Sequence, residues 1–176
     1  MKFDEWVNSL EGRLEGYKIS LTHERFRFRH VIDSIPSCTS PIRLLDIGTS
    51  PFTLFIKRMY PHYEVSTLDF SNYWEDACKE TGIKFRMCDL ERQPLPFEDD
   101  YFDLVIFNEV LEHLFAPPSR VLREVRRVIR TGGKIILSVP NIAAMRYRVV
   151  LLLGMSPLKD LDTAIGPPHD HVHESQ

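Results

Sequence analysis

Four apolar runs of the sequence each end in residues that can bind a ligand. These residues are Asp46, Gly48, Thr49, Ser50, Asp69, Phe70, Asp89, Leu90, Asn108 and Glu109. The glycine lets the backbone approach a ligand closely, and the two hydroxyls can donate hydrogen bonds or cap a following helix. Open parallel sheets bind ligands just beyond the carboxyl ends of their strands, so the ten residues form one candidate site.

The spacing of the carboxylates indicates a ligand that contains adenosine. Asp69 lies 23 residues after Asp46, near the spacing at which an acidic side chain binds the hydroxyls of a ribose. Asp89 can accept a hydrogen bond from an adenine amino group, while Leu90 packs on the ring. We interpret Asp46 as structural as much as functional, because it can orient the turn through backbone hydrogen bonds.

The elements that must position these residues alternate between strands and helices. The apolar runs predict strands at 42–47, 63–68, 84–87, 101–107 and 134–139, with a turn at 131–133. Helices are predicted to end near Met59 and Glu80, and another to span 118–129. The alternation predicts an α/β doubly wound, mostly parallel sheet with helices on both faces.

Residues 1–40 are predicted to form a helical cap before the core at 41–141. Phe3, Trp6, Val7, Leu10 and Leu14 share one helical face, and a second helix is predicted from Thr22, as its N-cap, to Ile35. Arg25, Arg27 and Arg29 alternate with Phe26 and Phe28. We interpret the arginines as a solvated helical edge rather than a phosphate-binding patch. Residues 142–176 form a tail, with a helix over 142–153 and then a loop.

Composition places the chain among ordinary globular proteins. The 176 residues are 43% hydrophobic and carry a net charge of −3, which argues against broad nucleic-acid binding. Three cysteines lack metal-site spacing and indicate reduced thiols. The first ten residues show no signal core, and the apolar run 149–153 is too short to cross a bilayer. We therefore expect a soluble, cytoplasmic protein.

Several motifs in order resemble the class I S-adenosylmethionine-dependent methyltransferases. They are Asp46-Ile-Gly48, Asp69, Asp89, Leu95-Pro-Phe97, Phe102-Asp-Leu-Val105, Glu109-Val-Leu-Glu-His-Leu114 and Gly132-Gly133. The resemblance implies a Rossmann-like fold with S-adenosylmethionine as cofactor. It also implies that the Gly48 turn contacts the methionine part, Asp69 the ribose, and Asp89 and Leu90 the adenine. Where the family's turn has further glycines, this sequence has Ser50-Pro51-Phe52.

Methyl transfer requires proximity and orientation, and a general base only for a weak nucleophile such as a hydroxyl. His113 is the candidate base, and the alternative is a structural histidine of the core or a helix cap. Glu109, Glu112 and His113 can instead bind a metal together with His169, His171 or His173. That arrangement is similar to the metal-dependent RNA 2′-O-methyltransferases. We expect no metal, because the tail histidines have no predicted anchor.

The acceptor is the least defined part of the sequence-based prediction. The tail pattern Leu151-Leu-Leu-Gly154 followed by Pro157 resembles methyltransferases of surface-glycan pathways. We therefore predict methyl transfer to a small molecule or a sugar-containing acceptor. The alternatives are the metal-dependent RNA enzyme and a catalytically silent binding module.

The resemblance also implies that the sheet lacks the last two strands of the family. Ile135, Ile136, Leu137 and Val139 would then lie on an unpaired apolar edge, and such edges invite pairing with another chain. We expect the 176-residue chain to self-associate as a homodimer through this edge. We also expect it to have marginal stability and weak catalysis.

Overall fold

Five parallel strands form one sheet in the order β3-β2-β1-β4-β5. This computed structural model describes residues 3–115, 117–141, 148 and 152–153. The strands are β1 (Arg43–Ile47), β2 (Glu64–Asp69), β3 (Lys84–Met87), β4 (Phe102–Asn108) and β5 (Ile129–Ser138). The predicted doubly wound parallel sheet is therefore confirmed.

Helices cover both faces of the sheet. They are α1 (Phe3–Asn8), α2 (Lys18–His23), α3 (Arg25–Ser34), α4 (Pro51–Met59), α5 (Glu75–Thr81) and α6 (Pro118–Val128), with 3₁₀ turns at Gly12–Tyr17 and Leu111–His113. One apolar core joins α1 to α5 to the sheet, and a second joins α6 to the other face. Leu44 and Leu45 belong to different cores, because successive strand residues point to opposite faces. Both faces of the central strands are therefore buried.

The N-terminal cap is more broken than the sequence predicted. The first helix ends at Asn8. Gly12, the first residue of the following 3₁₀ turn, has a φ of +59°. The second predicted helix is two helices, and Thr22 lies inside α2 rather than at an N-cap. Its hydroxyl donates to the carbonyl oxygen of Lys18 at 2.7 Å, a local bond that competes with the capping role. The predicted start at Thr22 is therefore wrong.

The predicted turn at 131–133 lies inside a strand. β5 begins at Ile129 and pairs with Phe102, and its register shifts before Lys134 pairs with Leu104. The shift includes Gly132, whose φ is +79°. A Cβ on Gly133 would come within 3.1 Å of the Asp103 carbonyl oxygen. The two glycines thus form an irregularity of the strand, which is a common use of glycine in sheets.

The chain divides into two units after Val139. The second unit, 140–176, lies almost wholly outside the described residues. The predicted helix over 142–153 and the tail histidines lie largely or wholly outside the described residues. Among the residues that the structure describes, no helix is long and apolar enough to span a membrane. Cys38, Cys78 and Cys88 form no disulfide within the described part of the chain.

Candidate cofactor-binding site

Asp46 lies in the interior, one residue before the end of β1. Its side chain is 2% exposed, and Thr53 of α4 donates a hydrogen bond to Oδ2 at 2.6 Å. Burial raises the pKa of Asp46 to about 7, although the bond from Thr53 opposes the shift. The Asp46 side chain thus accepts from a side chain of α4 rather than from the backbone amides of the turn that the sequence suggested.

Ser50 and Thr53 form a capping box at the start of α4. The Ser50 hydroxyl accepts from the Phe52 amide at 3.2 Å, and the Thr53 hydroxyl accepts from the Ser50 amide at 3.0 Å. Pro51 occupies the first helical position, where the lack of an N–H costs nothing. This box builds the turn where the resembling family uses glycines.

The turn 48–53 offers no free backbone N–H to a ligand. The amide of Gly48 donates to the Leu68 carbonyl oxygen, and that of Thr49 donates to the Asp69 carboxylate. The amide of Ser50 donates to the Thr53 hydroxyl, and those of Phe52 and Thr53 donate to the hydroxyl and the carbonyl oxygen of Ser50. Pro51 has no amide hydrogen. Helix N-termini bind phosphate through such amides. The N-terminus of α4 therefore lacks the donors that a pyrophosphate requires.

Gly48 brings the ends of β1 and β4 into contact. Its φ is +88°, and a Cβ on it would lie 2.6 Å from Cγ2 of Val110. Both the backbone conformation and the space require glycine here. The close approach therefore leaves no space for a side chain at position 48.

Asp69 ends β2 beside this turn. Its Oδ2 accepts from the Thr49 amide at 3.1 Å, and its Oδ1 accepts from the Ser71 amide at 3.2 Å. Burial raises the pKa of Asp69, and the surrounding amides act in the opposite direction. Phe70 and the Ser71 side chain also hydrogen-bond to this carboxylate, and Asp69 is half-buried, so part of it remains accessible. The next side chain, Phe70, is 82% exposed.

Asp89 and Leu90 lie next to Asp69 because the ends of β2 and β3 are joined. The Cys88 amide donates to the Asp69 carbonyl oxygen at 2.8 Å. Asp89 and Leu90 are half-buried, and Asp89 Oδ1 accepts from the Glu91 amide at 2.9 Å. The structure therefore brings the predicted ribose and adenine residues together at one edge.

The end of β4 is held by a contact that the sequence did not reveal. Glu109 has a φ of +55°, and its Oε1 accepts from the Ser138 hydroxyl at 3.0 Å. Its Oε2 pairs with the guanidinium of Arg27 from α3. The side-chain oxygen of Asn108 also lies within hydrogen-bond distance of the Ser138 hydroxyl, whose single proton the two acceptors share. The interpretation of Arg27 as part of a solvated edge is thus wrong, because its side chain is only 27% exposed.

His113 and Glu112 lie in the 3₁₀ turn after β4. The His113 side chain is half exposed, and Nε2 lies 4.0 Å from Oε1 of Glu112. Burial and the negative charge of Glu109 raise the pKa of Glu112. Residues 3–115 and 117–141 contain no group of three or more side chains arranged to hold a metal ion. His171, the remaining ligand of the metal alternative, lies outside the described residues.

Comparison with known families identifies the fold. The family model described as Methyltransferase domain matches residues 45–137, more than half of the chain. The chain belongs to this family. The match covers all four strand ends described above, whereas the N-terminal cap and Arg27 lie outside it.

Relatives of this methyltransferase domain act on different acceptors. It is 28% identical over 142 residues to the malonyl-[acyl-carrier protein] O-methyltransferase of Legionella pneumophila, which covers 78% of the chain and 45% of the relative. It is 29% identical over 100 residues to the demethylmenaquinone methyltransferase of Thermotoga maritima, covering 56% of the chain and 43% of the relative. The chain thus spans less than half the length of these curated relatives.

Solved structures agree with the family assignment. A methyltransferase from Haloferax volcanii, in complex with the Trm112 methyltransferase activator, has a TM-score of 0.58 and 26% identity over 78% of this chain and 60% of that one. An S-adenosylmethionine-dependent methyltransferase from Thermotoga maritima has a TM-score of 0.59 over 91% of this chain and 75% of that one. At 19% identity the second likeness shows the fold alone.

S-adenosylmethionine is the cofactor of this methyltransferase domain, and the residues present fit it. Its sulfonium and ammonium groups are cations, and its ribose and adenine carry donors. The described strand ends offer the carboxylates of Asp69, Asp89 and Glu109. Two buried polar atoms beside them, Nε of Arg27 and Oε2 of Glu112, have no partner among the described residues. Unpaired buried polar atoms are costly, which is consistent with a polar ligand.

Proposed function

We propose that this chain transfers the methyl group of S-adenosylmethionine to a small molecule or a sugar-containing acceptor. One observation carries the proposal: the turn 48–53 has no free N–H, while the carboxylates of Asp69, Asp89 and Glu109 face the same sheet edge. Such a site favours a ligand with cations and hydroxyls over one with phosphates. When bound, the cofactor supplies an electrophilic methyl group.

Each candidate residue has a role in this proposal. Asp69 accepts from the ribose hydroxyls, with Phe70 beside it, and Asp89 and Leu90 bind the adenine. The remaining cofactor-side residues are Asp46, Gly48, Thr49, Ser50, Asn108 and Glu109, which shape the methionine end. Holding both reactants in line lowers the barrier without a protein nucleophile. His113 accepts the proton when the acceptor is a hydroxyl, because its ring is exposed beside the end of β4.

Substitution of Asp69 tests the cofactor site. We expect Asp69→Ala to weaken binding of S-adenosylhomocysteine by about 1.5–3 kcal/mol, the scale of hydrogen bonds to a charged group. Isothermal titration calorimetry measures the affinity, and Asp76→Ala, an exposed carboxylate of α5, is the matched control. Equal affinities for wild type and Asp69→Ala would remove Asp69 from the site. A wild type without affinity would instead favour the silent binding module.

The metal-dependent RNA 2′-O-methyltransferase is the second candidate function. Two pairs of side chains at the end of β4 favour it: His113 lies beside Glu112, and the charge of Glu109 raises the pKa of Glu112. We expect methylation activity to survive EDTA, measured by transfer of a labelled methyl group. Loss of activity in EDTA, with recovery in manganese or magnesium, would replace the first proposal by this one.

We also propose that copies of the chain associate through β5. Among the described residues β5 pairs only with β4. Ile135 and Leu137 on this strand, and Val139 just after it, are each more than 40% exposed. An exposed apolar edge strand is a template for pairing with a second chain.

A further inference from the structure

Arg27 connects the N-terminal cap to the end of β4. Its Nη1 pairs with Oε2 of Glu109, which is 82 residues away in sequence, and its Nη2 lies 3.0 Å from Oε1 of Glu24. The family model begins at residue 45, so Arg27 lies outside the segment that the family shares. The contact therefore involves a residue of the N-terminal cap that the family model does not match.

The ion pair between Arg27 and Glu109 is shielded from water. The two side chains are 27% and 17% exposed, whereas those of Arg29 and Asp4, an ion pair from the same helix, are 49% and 43% exposed. Partly buried pairs are screened much less by salt and solvent than exposed ones. Arg29 is therefore a natural control for Arg27.

The position of Arg27 is fixed by its neighbour Phe28. Phe28 is buried, and its ring centre lies 4.6 Å from that of Phe52 in the first turn of α4. A shift of α3 would expose this aromatic pair to water, which disfavours the shift. The segment of α3 that carries Arg27 is therefore packed against the first turn of α4.

Glu109 has an acidic and a hydroxyl neighbour as well as Arg27. It lies in a left-handed conformation, and its negative charge and a hydrogen bond between the two side chains both raise the pKa of Glu112. Ser138 donates a hydrogen bond to the Glu109 carboxylate. The Arg27 guanidinium supplies both a positive charge and directional donors.

We propose that Arg27 is a positioning residue of the cofactor site, acting through Glu109. The inference rests on the proposed function, in which Glu109 shapes the methionine end of the cofactor site. Arg27 holds the Glu109 carboxylate towards Ser138 and offsets its repulsion from Glu112. The N-terminal cap is thereby part of the binding site, although the shared family segment does not include it.

A double-mutant cycle tests this proposal. Calorimetry with S-adenosylhomocysteine is performed on wild type, Arg27→Gln, Glu109→Gln and the double variant. We expect Arg27→Gln to weaken binding about tenfold in the wild-type background and less than about twofold in the Glu109→Gln background. A loss of equal size in both backgrounds would overturn the proposal, because Arg27 would then act independently of Glu109.

Two further variants separate positioning from support of the cap. Arg29→Gln removes the exposed ion pair of the same helix and should leave the affinity within about twofold. Arg27→Lys keeps the charge without the planar fork, and should recover part of the loss. An equal loss in Arg29→Gln, or no loss in Arg27→Gln, would overturn the inference. If wild type does not bind S-adenosylhomocysteine, the proposed function fails first and this inference with it.

Discussion

At the scale of single residues, Asp46 is a buried ionisable group that accepts a hydrogen bond next to the candidate site. Its ordinary pKa of 3.8 rises to about 7 in the folded chain. Folding therefore favours the protonated form, and the folded state binds more protons than the unfolded state between these two values. The contribution of Asp46 to stability falls as pH rises from about 4 through about 7.

The pH dependence of stability tests this reading of Asp46. We expect wild type to lose about 1–3 kcal/mol of unfolding free energy relative to Asp46→Asn between pH 5 and pH 8. The amide oxygen of Asn can still accept from the Thr53 hydroxyl. Urea denaturation at both pH values measures the difference, with Asp76→Asn as an exposed control. A constant difference between wild type and Asp46→Asn would contradict the raised pKa.

The sequence suggested an orienting role for Asp46 but did not indicate Thr53 as its partner. Thr53 is seven positions away, and its role depends on α4 packing against β1. Arg27 and Glu109 are a stronger example. Their ion pair joins the N-terminal cap to the end of β4. No local pattern predicts a contact between residues that are 82 positions apart. The alternation of arginine with phenylalanine indicated the character of the helix face. It did not indicate which residues this face contacts.

At the scale of elements, an arginine fastens the segment before β4 to the last turn of α6. The guanidinium of Arg127 donates to the carbonyl oxygens of Leu95 and Phe97, each at 2.9 Å. It also pairs with Asp99 at 2.7 Å and with Glu124 at 2.8 Å. These contacts line a cavity of about 610 Å³ at the amino end of β4, away from the candidate site.

Removal of this arginine should loosen the segment. We expect Arg127→Ala to lower the unfolding free energy by about 2 kcal/mol, because two carbonyl oxygens and Glu124 lose their partner. Arg123→Ala is the control, since Arg123 of the same helix is exposed and contacts only its own helix through Ser119. That control should change stability by less than about 0.5 kcal/mol. Equal effects in urea denaturation would show that the contacts of Arg127 add nothing.

Local patterns predicted the central strands better than their flanks. Strands β1 and β4 are mainly apolar, and β2 is buried although Ser66 and Thr67 lie between its apolar residues. Strands buried on both faces are typical of parallel sheets. Gly132-Gly133 resembles a turn in sequence, yet both lie within β5. Glycine serves turns and strand irregularities equally well. Which of the two forms depends on pairing with β4, a long-range condition.

At the scale of the whole molecule, the exposed side of β5 predicts association. We expect the chain to form oligomers in light scattering, and Ile135→Lys to shift them towards monomer. A lysine on an edge strand opposes pairing with a second chain. Leu122→Lys, a partly exposed position of α6, is the matched control and should leave association unchanged. A wild type that is monodisperse as a monomer would contradict the expectation.

We also expect the turn 48–53 to determine which adenosine compounds compete for the proposed cofactor site. ATP shares the ribose and adenine that we assign to Asp69, Asp89 and Leu90, but it adds a triphosphate where the methionine end would lie. The amides of the turn are all engaged within the protein, and the nearby Asp69 and Glu109 carboxylates repel a polyanion. We therefore expect the proposed site to bind S-adenosylmethionine in preference to ATP, although no single residue serves only to exclude nucleotides.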